Sequence, residues 1–159
     1  MPSGAPSRTF AVSPLTSTAP PSARVRGMRF AYHNHAWEFR PLEGELPIDI
    51  LLGECDPELV SFEMDVYWVT VAGADARDYI RRNPTRFKML HFKDSAGPPK
   101  HEQVDVGKGT IDFAAVVRLD AELQHALEYV FVEADDPPDP LAFARASFEY
   151  LARSGFDVK

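Results

Sequence analysis

From residue 28 onward, short apolar runs alternate with segments whose apolar residues recur every three or four positions. Four runs read as strands, being rich in β-branched and aromatic residues: MRFAYH (28–33), VSFEMDVYWV (60–69), FKMLHFKD (87–94) and EYVFVEAD (128–135). The segments between them read as helices. The first spans 46–54, with Leu46, Ile50 and Leu51 on its apolar side. The second spans 75–83 and is closed by Pro84. The third spans 112–123, with Asp112 as N-cap. The last spans 139–155, with Asp139 as N-cap, Pro140 in the first turn and Gly155 near the end. Strands alternating in this way with helices predict an α/β fold of four successive parallel βα units with right-handed crossovers. Such a sheet is apolar along most of each strand, so polar residues at strand ends carry information.

Composition narrows the picture. Residues 1–24 read as a disordered Pro/Ser/Ala-rich leader, since residues 1–22 hold five prolines and five serines without periodicity. Residues 25–159 read as the folded domain. The first 30 residues carry four arginines and no acid, leaving 13 Lys and Arg against all 24 acids afterwards, a formal −11. That acidity argues against a nucleic-acid partner, whose phosphates need clustered Lys and Arg. No apolar run approaches the ~18 residues of a membrane span. Cys55 is the one cysteine, which excludes an intrachain disulfide and a cysteine-rich zinc site and suits a cytoplasmic setting.

Each predicted strand ends in a residue able to bind a metal or carry a proton: His33 and His35, then Asp65, then His91, then Glu133. Parallel α/β architectures gather these ends at one face, where active sites form. Mixed carboxylate and imidazole ligands suit Mn²⁺ best in this setting, with Mg²⁺, Co²⁺ or Zn²⁺ as alternatives. Each residue has a plainer reading. Asp65 can cap a turn, His91 can be a satisfied buried histidine, and Asp135 and Asp136 read as solvated loop acids. Lys93 shares a strand side with His91 and reads either as a substrate contact or as a surface lysine paired with Asp94. VGKGTIDF (106–113) sets two glycines around Lys108; it reads either as a substrate loop cradling an anion or as a tight turn.

The segments YHNHAWEF, FEMDVYWV, HFKD, VGKGTIDF and FVEAD, in this order, resemble the sugar phosphate isomerase/epimerase family, whose fold is a xylose-isomerase-like TIM barrel. The resemblance covers residues 25–155 and fits the C-terminal half of a (β/α)₈ barrel. It implies a divalent-metal site at the barrel mouth, with Asp65, His91 and Glu133 matching three of the four ligands. In relatives with Glu-Asn-His on the first of these strands the glutamate falls at His33; in this His-Asn-His variant Glu38 is carried over as the first ligand. His35, His33 and Glu133 then serve in proton transfer, and Trp68, Lys93 and Lys108 contact substrate. The implied reaction is sugar isomerisation or epimerisation through a metal-stabilised enediolate, with a small sugar as substrate. Loss of water from an inosose or 3-keto-glycoside uses the same site. An abasic-site nuclease of this fold conflicts with the acidic body.

A full barrel needs ~250 residues and eight strands. The chain is therefore expected to be a fragment of a longer enzyme, to associate with itself or with a separate N-terminal half-barrel, or to be an inactive assembly module.

Overall fold

The computed structural model describes residues 27–123 and 127–154. The leader over 1–24 lies outside the described residues, as does Gly155. The chain runs β1 (Phe30–His33), a 3-10 turn (Trp37–Phe39), α1 (Pro47–Glu54), β2 (Val60–Asp65), α2 (Val66–Val71), α3 (Ala76–Arg82), β3 (Phe87–Phe92), β4 (Asp94–Ser95), β5 (Gln103–Val104), α4 (Phe113–Glu122), β6 (Tyr129–Val132) and α5 (Pro140–Arg153). β1, β2, β3 and β6 form one parallel sheet in that order, the expected α/β arrangement. β4 and β5 form a separate antiparallel pair.

Two strand ends and the buried side of one helix differ from the sequence reading. β2 stops at Asp65, and VYWV coils into α2 although its residues favour strands, because the Asp65 side chain accepts a hydrogen bond from the Trp68 N–H and starts a helix. β3 stops at Phe92, and Asp94 begins the hairpin instead. In α1 the buried residues are Ile48 and Leu52, one helical turn apart, while Ile50 faces solvent at 39% exposure. The Asp112 and Asp139 caps form as expected: Asp112 accepts from the Ala115 N–H, and Asp139 from those of Leu141 and Ala142.

Helices cover one face of the sheet. Phe62, Met64, Leu90 and Phe92 point into this layer and are almost wholly buried, with Phe92 packed on Phe113 at 4.4 Å between ring centroids. Each such side chain contributes about 1.5–3 kcal/mol by leaving water. The pairing of β2 with β3 contains a bulge: Phe62 faces Phe87, but Glu63 faces Met89, so Lys88 is the extra residue. A one-residue shift flips the faces of a strand. Here it lets Phe87 and Leu90, three apart, both pack under the helices, and it brings His91 opposite Asp65.

The other sheet face is open. Tyr129 and Phe131 are 55% and 43% exposed, unlike a parallel sheet covered on both sides. At the N-terminal ends of the two outer strands, Arg29 and Glu128 form an ion pair at 2.6 Å. No described helix is long and apolar enough to cross a membrane.

Candidate metal and substrate site

The C-terminal ends of the four parallel strands bring His33, Asp65, His91 and Glu133 together, with one ligand atom from each lying within 4.8 Å of all the others. His33 Nε2 stands 3.3 Å from Asp65 Oδ2, and His91 Nδ1 lies 3.8 Å from the same oxygen and 2.7 Å from Glu133 Oε2. These last two atoms are buried yet lack the alignment of a hydrogen bond. Ligand atoms around one ion, bonded at ~2.0–2.3 Å, stand ~3–4.5 Å from one another. The separations of 3.3 and 3.8 Å fall in that range and 2.7 Å just short of it, so the group could hold one divalent cation. Asp65 is sealed from solvent while the Glu133 side chain is 38% exposed, so the group opens on that side.

Asp65 uses its two oxygens differently. Oδ1 caps α2 through the Trp68 N–H at 3.1 Å, and Oδ2 faces the cluster. Asn34, buried, holds the strand end in place: its Oδ1 accepts from the Asp65 N–H at 3.0 Å and its Nδ2 donates to the Asp65 carbonyl at 3.3 Å. Burial pushes the Asp65 carboxyl up, but His33, His91 and Lys93 outweigh it and hold the group well below the usual carboxylate range. Burial likewise lowers His91, yet the surrounding Asp65, Glu63 and Glu133 carboxylates leave its imidazole raised overall.

Glu38 does not join the group. It is fully buried; Tyr32 Oη donates to its Oε1 at 2.8 Å and the His35 N–H to its Oε2 at 2.9 Å, so both oxygens fasten the turn after β1. His33 stands in the place expected of a Glu38 carboxylate. Sequence reasoning also missed Glu63, whose Oε1 is 3.0 Å from His91 Nε2. Its position two residues before Asp65, on the same side of β2, was the available signal.

Lys93 is not a surface lysine. It is 2% exposed, and its Nζ lies 3.1 Å from Asp135, 3.4 Å from Glu133 and 3.5 Å from Asp65. Burial opposes its charge, but these carboxylates raise its pKa overall. Asp135, read as a solvated acid, is 52% exposed and also borders the site through its contact with Lys93. Trp68 forms a half-buried wall, its ring 5.7 Å from that of His35 and 5.6 Å from Lys93 Nζ. His35 is exposed and its ring packs edge-on against His33 at 5.1 Å.

Lys108 stands apart, paired with Asp105 at 2.7 Å and 67% exposed. Its loop does cradle an anion, but that anion is the protein's own Asp94. This buried carboxylate accepts from the N–H groups of Gly107 and Gly109, each at 2.9 Å, of Ser95 at 2.8 Å and of Ile111 at 3.3 Å. Gly107 has φ +89°, and at Gly109 a Cβ would overlap Asp94 Oδ1 and the Ser95 carbonyl oxygen.

No protein-family model matches the chain. It is 26% identical over 148 residues to inosose dehydratase of Clostridium perfringens, covering 81% of this chain and 49% of that protein. Two sugar phosphate isomerase/epimerase structures from Parabacteroides distasonis superpose with TM-scores of 0.70 and 0.69, at 26% and 30% identity, over 84% of this chain and 48% and 49% of theirs. A xylose isomerase domain protein from Planctomyces limnophilus shares the fold, with a TM-score of 0.67 at 15% identity. The chain thus spans about half the length of the relatives it matches. Its structural neighbours are sugar phosphate isomerase/epimerase and xylose-isomerase-like domain proteins, the kinship its strand-end residues pointed to.

Proposed function

We propose that this chain carries the divalent-metal site of a sugar isomerase or epimerase. The observation that supports the reading best is the convergence of His33, Asp65, His91 and Glu133 from four successive strand ends. These residues would hold the ion, and Mn²⁺ is the first candidate for their N/O donor set. A bound divalent cation supplies Lewis-acid polarisation of a carbonyl and its neighbouring hydroxyl.

The chain's own residues account for the rest. Glu133, the most exposed of the cluster carboxylates, is placed to take the proton next to the substrate carbonyl, a role worth ~10²–10⁴-fold in rate. His35 stands on the solvent side, where it can return a proton to the opposite face. His33, whose Nε2 lies 3.3 Å from the Asp65 oxygen, would serve beside it as a ligand. Lys93 puts a positive charge beside the oxygens of a bound sugar, and the Trp68 ring offers a flat surface to its apolar face. Lys108, in its surface pair with Asp105, is retained only as a distant contact for a longer substrate. The substrate is a small ketose or related polyol.

Calorimetric titration of the 159-residue chain with MnCl₂ tests the reading. Wild-type protein is expected to bind one ion, and His91→Ala is expected to lose that binding. Equal, negligible heats from both would overturn it.

A second reading, a dehydratase acting on an inosose or 3-keto-glycoside, is supported by the similarity to inosose dehydratase. Proton removal by Glu133 is shared, but Glu133 then passes that proton to the β-hydroxyl, which leaves as water as the carbon–carbon double bond forms. Incubation with ketoses and with a keto-inositol separates the two readings: deuterium from solvent enters the product of an epimerase, whereas a dehydratase yields an unsaturated ketone absorbing in the ultraviolet.

A further inference from the structure

The site holds two claimants for the same oxygens. Lys93 Nζ is 3.5 Å from Asp65 Oδ2 and 3.4 Å from Glu133 Oε2, and both oxygens belong to the set that can hold a metal ion. A lysine that neutralised them fully would compete with a divalent cation. Its hydrogen bond to a side chain among the described residues goes elsewhere, to Asp135 Oδ2 at 3.1 Å, and Asp135 lies outside the metal-binding set.

Asp135 is itself fixed from the far side. Gln103 Nε2 donates to Asp135 Oδ2 at 2.6 Å, and the Asp135 N–H donates to Gln103 Oε1 at 2.7 Å. These two bonds set the orientation of the amide, since a backbone N–H requires the oxygen. Gln103 lies on β5, and the loop before it is pinned by Tyr67, whose hydroxyl donates to the His101 carbonyl at 2.7 Å. The hairpin therefore holds Asp135 at a set distance from the cluster.

We propose that Gln103 and Asp135 form a docking point for the Lys93 ammonium, keeping it at the margin of the cluster so that a divalent cation can take the Asp65 and Glu133 oxygens. Both are positioning residues, acting through Lys93. The inference rests on the metal-binding reading above and adds to it a device for tolerating two cations side by side. Outer residues that orient a metal site commonly govern affinity in this way.

The test is a double-mutant cycle on Mn²⁺ affinity, measured by calorimetry on the full chain, with thermal melts in EDTA to establish folding. Gln103→Met removes the clamp without changing charge. It is expected to weaken Mn²⁺ binding by about tenfold, the lower end of losses from outer-shell substitutions. In a Lys93→Met background, where no ammonium needs docking, the same change is expected to alter affinity by less than about twofold, the scatter of uncoupled sites. Asp135→Asn serves if Gln103→Met does not fold; its loss must likewise shrink in the Lys93→Met background. Unchanged affinity in Gln103→Met, or an equal loss with and without Lys93, overturns the proposal while leaving the metal site standing. Absence of Mn²⁺ binding by the wild type overturns both.

Discussion

Replacing Asp94 with Asn tests whether the glycine loop serves the fold or a substrate. The carboxylate is 1% exposed and receives four backbone N–H groups, two on each oxygen. An amide keeps one oxygen and turns an NH₂ group toward the other pair of donors. Each buried donor left without an acceptor costs about 1–3 kcal/mol. Two such donors, partly reached by water at Gly107 and Gly109, give a loss of about 3 kcal/mol. Urea unfolding followed by tryptophan fluorescence reads this directly. With a slope of about 1.5 kcal/mol per molar, the midpoint falls by about 2 M. A fall below about 0.5 M would refute the account of the loop as an internal carboxylate cradle. Lys108→Ala is the control: an exposed lysine in a surface pair contributes about 0–1 kcal/mol, so its midpoint stays close to that of the wild type.

Three further outcomes follow from the geometry. His33→Ala should weaken Mn²⁺ binding at least tenfold, while Glu38→Gln leaves it near the wild-type value; calorimetry decides between them, and the reverse order would restore Glu38 as the ligand. Glu38→Ala leaves the Tyr32 hydroxyl and the His35 N–H without their acceptor, so a loss of about 2–3 kcal/mol is expected by urea titration. Asp75 caps α3 and pairs with Arg77, which holds its carboxyl below the ordinary value. Because the folded-state pKa is the lower one, its stabilisation is present above the unfolded carboxylate value of ~3.9 and fades as pH falls through the folded value. Asp75→Asn should therefore flatten this acid-side part of the pH–stability curve, by well under 1 kcal/mol given the half-exposed, solvent-screened pair.

Much of the site was legible because two simple periods meet in it. The 3.6-residue pattern places the helices, and the remaining apolar runs must be strands of one parallel sheet, so their last polar residues converge without any knowledge of distance. Asp65, His91 and Glu133 were read from that rule alone. The residues that escaped it depend on partners which spacing cannot supply. Glu38 offers a carboxylate in the right segment, but the Tyr32 hydroxyl and the His35 N–H claim both of its oxygens. Asp135 is solvated as read, at 52% exposure, but its contacts with Lys93 and with Gln103, 32 residues away, could not be read from spacing. VYWV has the composition of a strand and becomes a helix because Asp65 caps it. Of the two readings of Lys93, the surface one fails: lysines seldom bury, but three carboxylates around its ammonium make the exception.

The extra residue at Lys88 has its own consequence. It is neither a ligand nor a core side chain, yet its bulging out of register sets which way the imidazole three positions later turns. Straighten the strand with Lys88 taken into register and every metal-binding side chain is still encoded, but His91 would be turned beneath the helices and Leu90 out among the carboxylates. The chemistry of this chain is thus guarded by one local irregularity of a strand as well as by its letters.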